Sequence, residues 1–255
     1  MLEEYFEGRH WRGVSLEAAV RRGQALEEST GQVFTWLACT NAGAAEVCLA
    51  ALRLQGIGEE DLATGYLCDP ASKSTLRVLA RPGIKVRLTR NIDKTRGFVN
   101  GANGTVCESL QGHAVFTVKL HGIGNMVLVY PMEEDGALFL PCCYGYATTI
   151  RRAQGADLPH GCIYFDRKKR AAARGYGYVA VSRFKSRKGC YLYGKLRRSD
   201  FLPVGPEVSG QVVERGYDSV SSGDSDGAGL EHAFDSDASE QSDALDLACD
   251  QGNLL

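Results

Sequence analysis

The sequence predicts an α/β protein that carries a small β-barrel insertion. Three observations lead there. An apolar run, Val33 to Cys39, passes through a polar turn into an amphipathic stretch, which is the strand–turn–helix unit of an α/β sheet. From Ile84 the apolar period becomes two, and strand-like segments follow one another to about residue 140. From Tyr144 the α/β pattern returns. Beyond Gly205 the chain turns acidic, Ser-rich and poor in apolar residues, too poor to offset its ordering entropy by burial, so a disordered acidic tail is expected.

Taken in order, SLEAAVRRGQALEES predicts a helix capped by Ser15, with Leu16, Ala19, Val20, Gly23 and Leu26 on one face. VFTWLAC reads as a buried strand. Thr40-Asn41 opens a second helix with Ala44, Val47, Cys48, Ala51 and Leu54 along one stripe. Breakers dominate from 56 to 83. IKVRLTR then alternates, with Ile84, Val86 and Leu88 on one face; NGANG (Asn100 to Gly104) is a turn signal. TVCESL, AVFTVKL and NMVLVY continue the β pattern, the last two joined by the hairpin connection HGIGN. ATTIRRAQG looks helical, GCIYF reads as a buried strand, and GCYLYGKL closes with another. The expected organisation is a helical lead-in (1–32), an α/β domain in two parts (33–84 and 143–204), the insertion (85–142) and the tail (205–255).

Charge is sharply divided. Arg151 to Asp200 holds 14 Lys or Arg against 3 Asp or Glu, and Gly205 to Leu255 holds 12 acidic residues against one Arg. The first stretch suits polyanions. The second repels them or shields the first, and its Ser-Asp-Ser pattern would add to that on phosphorylation. Nine cysteines contain no C-x-x-C pair, so reduced, mostly buried thiols are expected rather than a metal site. No apolar run approaches the roughly 20 residues of a membrane span, and the acidic start, MLEEYFEGRHW, has no signal-peptide pattern. An intracellular location is expected. Nuclear import is left open by DRKKRAAARG (Asp166 to Gly175), which otherwise reads as a basic face with phosphate contacts.

Two segments resemble a known family. YATTIRRAQG (Tyr146 to Gly155) resembles motif V of superfamily 1 helicases, and YVAVSRFKSRKGCYL (Tyr178 to Leu192) resembles their motif VI. The VSR form, together with RLTRNIDKTRGFVNGANGTV (Arg87 to Val106), is similar to the Pif/RecD-like branch, and FTWLACTNAGAAEV (Phe34 to Val47) fits motif IV. The resemblance spans roughly residues 33 to 200. It implies a second RecA-like parallel-sheet domain, with YVAVSR helical despite its β-branched residues.

It also implies site residues. Arg183 matches the motif VI arginine finger, whose planar guanidinium meets the charge spread over the γ-phosphate oxygens in the transition state. Gln154 and Gly155 match motif V residues near the nucleotide. Thr40, Asn41 and Thr149 match groups that contact phosphates of the bound strand. Arg151 and Arg152 stand where the family has His-Lys, and Ala153 stands where it has Ser, so phosphate contact is expected to survive while a Ser hydroxyl is lost. Lys185 is a further expected strand contact. Phe98, in the RGFVNG turn, is the candidate for base stacking, whereas Tyr176, Tyr178, Phe184, Tyr191 and Tyr193 are expected in the core. Trp11 and Trp36 read as packing residues, and His113, His121 and His160 as surface histidines.

No G-x-x-x-x-G-K-[ST] follows a strand. GCYLYGKL (Gly189 to Leu196) has the glycines and the lysine, but Cys-Tyr-Leu-Tyr cannot wrap a phosphate and Leu196 replaces the Mg²⁺-binding hydroxyl. MEED (Met132 to Asp135) follows Pro131, which breaks the strand that a Walker B acid would end. ATP with Mg²⁺ is therefore expected to act only together with a P-loop domain supplied in cis or in trans, and Met1 is not expected to be the start of the whole protein. The expected function is the C-terminal half of an ATP-dependent DNA helicase, inactive as an ATPase alone. Single-stranded DNA is the expected partner. The alternatives are a non-catalytic nucleic-acid-binding module derived from a helicase, and a decayed gene product.

Overall fold

The computed structural model describes residues 6–110, 114–166 and 175–201. The tail, His113, Cys249 and the run from 167 to 174 lie outside them. Strand β1 (His10–Trp11) precedes helix α1 (Leu16–Thr30). The Ser15 hydroxyl accepts from the Ala18 N–H at 3.2 Å, and α1 stops at Gly31, whose φ of 65° suits a residue without Cβ. β2 (Phe34–Ala38) is buried at every position. α2 (Asn41–Arg53) is capped by Thr40, which accepts from the Gly43 N–H at 2.9 Å. A short α3 (Glu59–Ala63) and a 3-10 turn (Pro70–Ser72) fill the breaker-rich stretch.

The insertion follows: β3 (Lys85–Leu88), β4 (Asn103–Leu110), β5 (Val115–Leu120), β6 (Met126–Val129), β7 (Met132–Glu134), β8 (Ala137–Phe139) and β9 (Cys142–Tyr144). The chain then returns through β10 (Ala147–Thr149), β11 (His160–Phe165), α4 (Tyr176–Val181) and β12 (Cys190–Gly194).

The α/β sheet has the order β1-β12-β11-β2-β10, and every ladder in it is parallel. Parallel strands are covered on both faces, which is why FTWLA is apolar throughout instead of alternating. One face points Trp11, Phe34, Trp36 and Cys162 towards α1 and α2. The other points Leu37, Ile163, Phe165 and Leu192 towards α4 and the Ile150 side chain. Gly23 lets α1 lie directly on the sheet, since a Cβ there would come within 2.8 Å of the Phe34 ring. Trp11 and Trp36 are packing residues, as expected, in an aromatic cluster with Tyr191 and Tyr193. Tyr176 and Phe184 are also packed, but Tyr178 is 69% exposed. The helical period of α4 buries Gly177 and Ala180 and so turns Tyr178 outward.

The insertion is antiparallel, in the order β6-β5-β4-β3-β9. The expected closure into a barrel is not made by ladder pairing among the described residues. After β6 the chain folds off into the β7/β8 hairpin, and β9 pairs with the free side of β3, so β6 and β9 remain the edges. Alternation in β3 places Val86 and Leu88 in the core and leaves Lys85 and Arg87 half-buried on the other face. Side-chain contacts help to fasten the insertion to the α/β layers. Lys85 pairs with Glu27 of α1, and fully buried Asp69 accepts from Thr89 Oγ1 at 2.7 Å and from both Nε and Nη2 of Arg90, at 2.6 and 3.0 Å.

Three further expectations are corrected by the packing. Phe98 is 2% exposed, not a projecting turn residue. Its N–H donates to Asp93 O at 2.7 Å and its carbonyl accepts from Ile92, so the loop closes on itself and carries the ring inward. His121 is half-buried, with Nε2 2.8 Å from Thr105 Oγ1 and Nδ1 sealed from solvent without a partner. ATTIRRAQG is a short strand followed by a single turn, because pairing of Ala147–Thr149 with β2 overrides helical propensity. The cysteines among the described residues are free thiols, six of them buried, and burial pushes Cys48 and Cys190 up to about 12.

Candidate nucleic-acid interface

The turn after β10 is held by two buried anchors. Ile150 donates to Ala38 O at 2.9 Å, extending the β10–β2 pairing by one residue, and its side chain lies in the core with that of Ala153. Between them Arg151 and Arg152 face outward. Ala153 N–H donates to Thr149 O at 3.1 Å and Gln154 N–H to Arg151 O at 3.2 Å, and the turn ends at Gly155 with φ 84°. Gln154 and Gly155 are exposed. Ala153 sits in an apolar seat, which suits a methyl better than a hydroxyl.

Beside this turn a cleft of about 380 Å³ separates β10 from the insertion. Arg87, Thr148, Arg152, Asn100 and Asn103 line it. Asn41, Thr149 and Lys73 join Arg87 and Arg152 around the adjoining mouth. The structure thus brings together Asn41, Thr149 and Arg152 of the expected strand contacts. It adds Arg87, Lys73, Asn100 and Asn103, which the sequence reading missed. Arg87 stands on the polar side of an alternating strand, a pattern that marks a side chain as outside the core and says nothing of what approaches it.

Thr40 is placed differently from expectation. Its hydroxyl accepts from Gly43 N–H and donates to Asp166, whose carboxylate also accepts from Cys39 N–H at 2.8 Å and Thr40 N–H at 3.2 Å. A carboxylate therefore lies across the start of α2, where a phosphate was expected, and balances the helix dipole there. A Cβ on Gly43 would lie 2.0 Å from Asp166 Oδ2, so glycine is needed for that approach.

Arg183 lies at the opposite, N-terminal edge of the sheet. Its carbonyl accepts from Leu158 N–H at 2.8 Å, and Lys185 N–H donates to Leu158 O at 3.0 Å, so the loop leaving Gly155 is stitched to the segment after α4. The guanidinium reaches only Val179 O at 3.3 Å and Ser182 Oγ at 3.1 Å, with no carboxylate partner among the described residues. Lys185 is exposed. GCYLYGKL is strand β12 with Cys190 and Leu192 buried, and MEED begins the β7/β8 hairpin, so neither is a phosphate cradle or a Walker B site.

A parallel sheet whose edge strand runs into the RRAQG turn, with the helix of the YVAVSR segment one strand further on, is a RecA-like arrangement. More particularly, the chain is similar to Pif1 DNA helicases. It is 27% identical over 221 residues to ATP-dependent DNA helicase PIF1 of Danio rerio, covering 74% of this chain and 33% of that protein. It is 30% identical over 174 residues to the Rattus norvegicus protein of the same name, covering 64% and 25%. The chain therefore spans a third or less of these relatives. No family model matches. The fold is similar to that of Bacteroides Pif1 helicase in complex with ADP-AlF3 and ssDNA, with TM-score 0.54 at 17% identity, over 79% of this chain and 47% of that one. Bacteroides Pif1 bound to ssDNA gives TM-score 0.51 at 16% identity, over 80% and 48%.

Proposed function

We propose that this chain is the strand-gripping half of an ATP-dependent, Pif1-like DNA helicase. The cleft between β10 and the insertion, with its adjoining mouth, carries the proposal, because the two bring Asn41, Thr149 and Arg152 beside further cations and amides. Similarity to proteins named as DNA helicases, and to a structure holding single-stranded DNA and ADP-AlF3, supports the choice of ligands. Arg151 and Lys185 are assigned to the same strand from beside the cleft. Phosphate contacts of this kind hold a strand without reading its sequence.

ATP needs a phosphate cradle, and among the described residues none is formed. A half-exposed guanidinium without a carboxylate partner does fit the remaining requirement. Arg183 is assigned to neutralise charge on the transferring phosphoryl group, and Gln154 and Gly155 to border the nucleotide. The P-loop and the Mg²⁺-binding groups are assigned to a first RecA-like domain, joined in cis or supplied in trans. When bound there, ATP with Mg²⁺ supplies the hydrolysis that drives movement along the strand.

The test is reconstitution. Full chain mixed with a P-loop-bearing first domain of a Pif1 relative is expected to show strand-stimulated ATP hydrolysis, which Arg183→Ala lowers by ~10³–10⁵. Strand binding without any hydrolysis would refute the catalytic part. It would favour a stand-alone binding module, the reading suggested by the lack of a phosphate cradle among the described residues.

A further inference from the structure

Arg87 and Arg152 reach the same cleft from opposite walls, one from β3 of the insertion and one from the turn after β10. Neither makes an ion pair among the described residues. Arg87 Nη2 reaches only the Cys143 Sγ at 3.3 Å, and Arg152 Nη2 only the Ala71 carbonyl at 3.4 Å. Burial, and next the Arg87 charge, pull Arg152 below the ordinary arginine value. Two like charges thus border one cleft, with no carboxylate paired to either among the described residues. Thr148 also lines the cleft, but its hydroxyl is turned away from solvent. Two guanidiniums without a carboxylate partner call for an acceptor that carries negative charge.

We propose that Arg87 and Arg152 form a clamp for one phosphodiester of a nucleic-acid strand, so that the strand passes between the insertion and the β10 edge. The inference rests on the strand-binding reading above and sharpens it. Guanidinium forks suit the non-bridging oxygens of a phosphate, which accept two parallel N–H bonds from each. The cleft is large enough for a nucleotide unit, and Asn100 and Asn103 of the insertion offer amides to the attached base or sugar. The insertion thereby becomes part of the grip, and Lys73 at the adjoining mouth adds positive charge along the same path.

The experiment is fluorescence anisotropy of labelled oligothymidylate with the full chain across a salt series. Each phosphate contact contributes about 0.7 to the slope of log affinity against log salt for single strands. Arg87→Gln and Arg152→Gln should each lower the slope by about that amount, and the double variant by roughly twice it. Arg21→Gln, on the exposed side of α1, removes the same charge away from the cleft and should leave the slope unchanged. Arg152→Lys keeps the charge and removes the planar fork. It should weaken binding severalfold at an unchanged slope, which supplies a reading even if a glutamine variant fails to fold in a circular-dichroism check.

Normal wild-type binding, with slope unchanged in both glutamine variants and affinity unchanged in Arg152→Lys, overturns the clamp and leaves the strand-binding reading standing. No wild-type binding overturns both. Calorimetry with inorganic phosphate separates the sources of the anion. Heat that Arg87→Gln abolishes, alongside unchanged oligonucleotide slopes, would make the cleft a site for free phosphate and overturn the strand clamp.

Discussion

Replacing Asp69 with alanine removes the carboxylate that ties the insertion to the α/β layers. That carboxylate is fully buried and takes four hydrogen bonds, from Thr89 Oγ1, two from Arg90 and one from Ala71 N–H. Alanine leaves the Arg90 guanidinium its place over the Phe139 ring and its pair with Glu134, a half-exposed carboxylate worth at most about 1 kcal/mol. Breaking a buried pair by removing one partner costs about 3–5 kcal/mol, or roughly 6–20 °C in Tm for a chain of this size.

The same group sets a pH dependence. Burial alone would raise the Asp69 pKa, but the hydrogen bonds from Arg90, Thr89 and Ala71 together hold it below the usual carboxylate value. Its contribution should therefore be full above about pH 4 and be lost as pH falls through the depressed value. Thermal and urea melts of wild type and Asp69→Ala at pH 7 and pH 3 measure both effects. A loss below 1 kcal/mol at pH 7, or a difference between the proteins that does not shrink at pH 3, would refute the reasoning.

Three more outcomes follow from the packing. Thr40→Ala should cost about 1 kcal/mol by removing the α2 cap while leaving oligonucleotide affinity within twofold, because the hydroxyl is committed to Gly43 and Asp166; melts and anisotropy read the two separately. Phe98→Ala should destabilise by about 3–5 kcal/mol as a core truncation, so its melting temperature falls even without any strand present. His121 is held below its ordinary pKa first by burial and then by Lys85. The unfolded chain binds the proton more readily, so stability should decline as pH drops below about 6.5, and His121→Gln should flatten that part of the stability–pH curve.

Elements governed by local signals were legible in the sequence. Ser15 and Thr40 announced two helix starts, and the unbroken apolar run of β2 announced a strand covered on both faces. α4 was legible only through the resemblance, since Val179 and Val181 on their own favour a strand. The site was less visible because long-range approaches make it. Asp166 opens a basic run, and its role at the start of α2 depends on a contact across 126 residues. Arg87 becomes a cleft residue only when β10 folds against the insertion. Phe98 was misplaced because a turn signal fixes the backbone bend and not the side to which the ring points.

Photocrosslinking of the full chain to 4-thiothymidine oligonucleotides, with the crosslinked peptides mapped by mass spectrometry, tests the proposed strand path most directly. Crosslinks concentrated on peptides bearing Asn41, Arg87, Asn100 and Thr148 to Gln154 are the predicted result. Crosslinks confined to the outer side of β6, around Met126 and Leu128, or none at all, would contradict it.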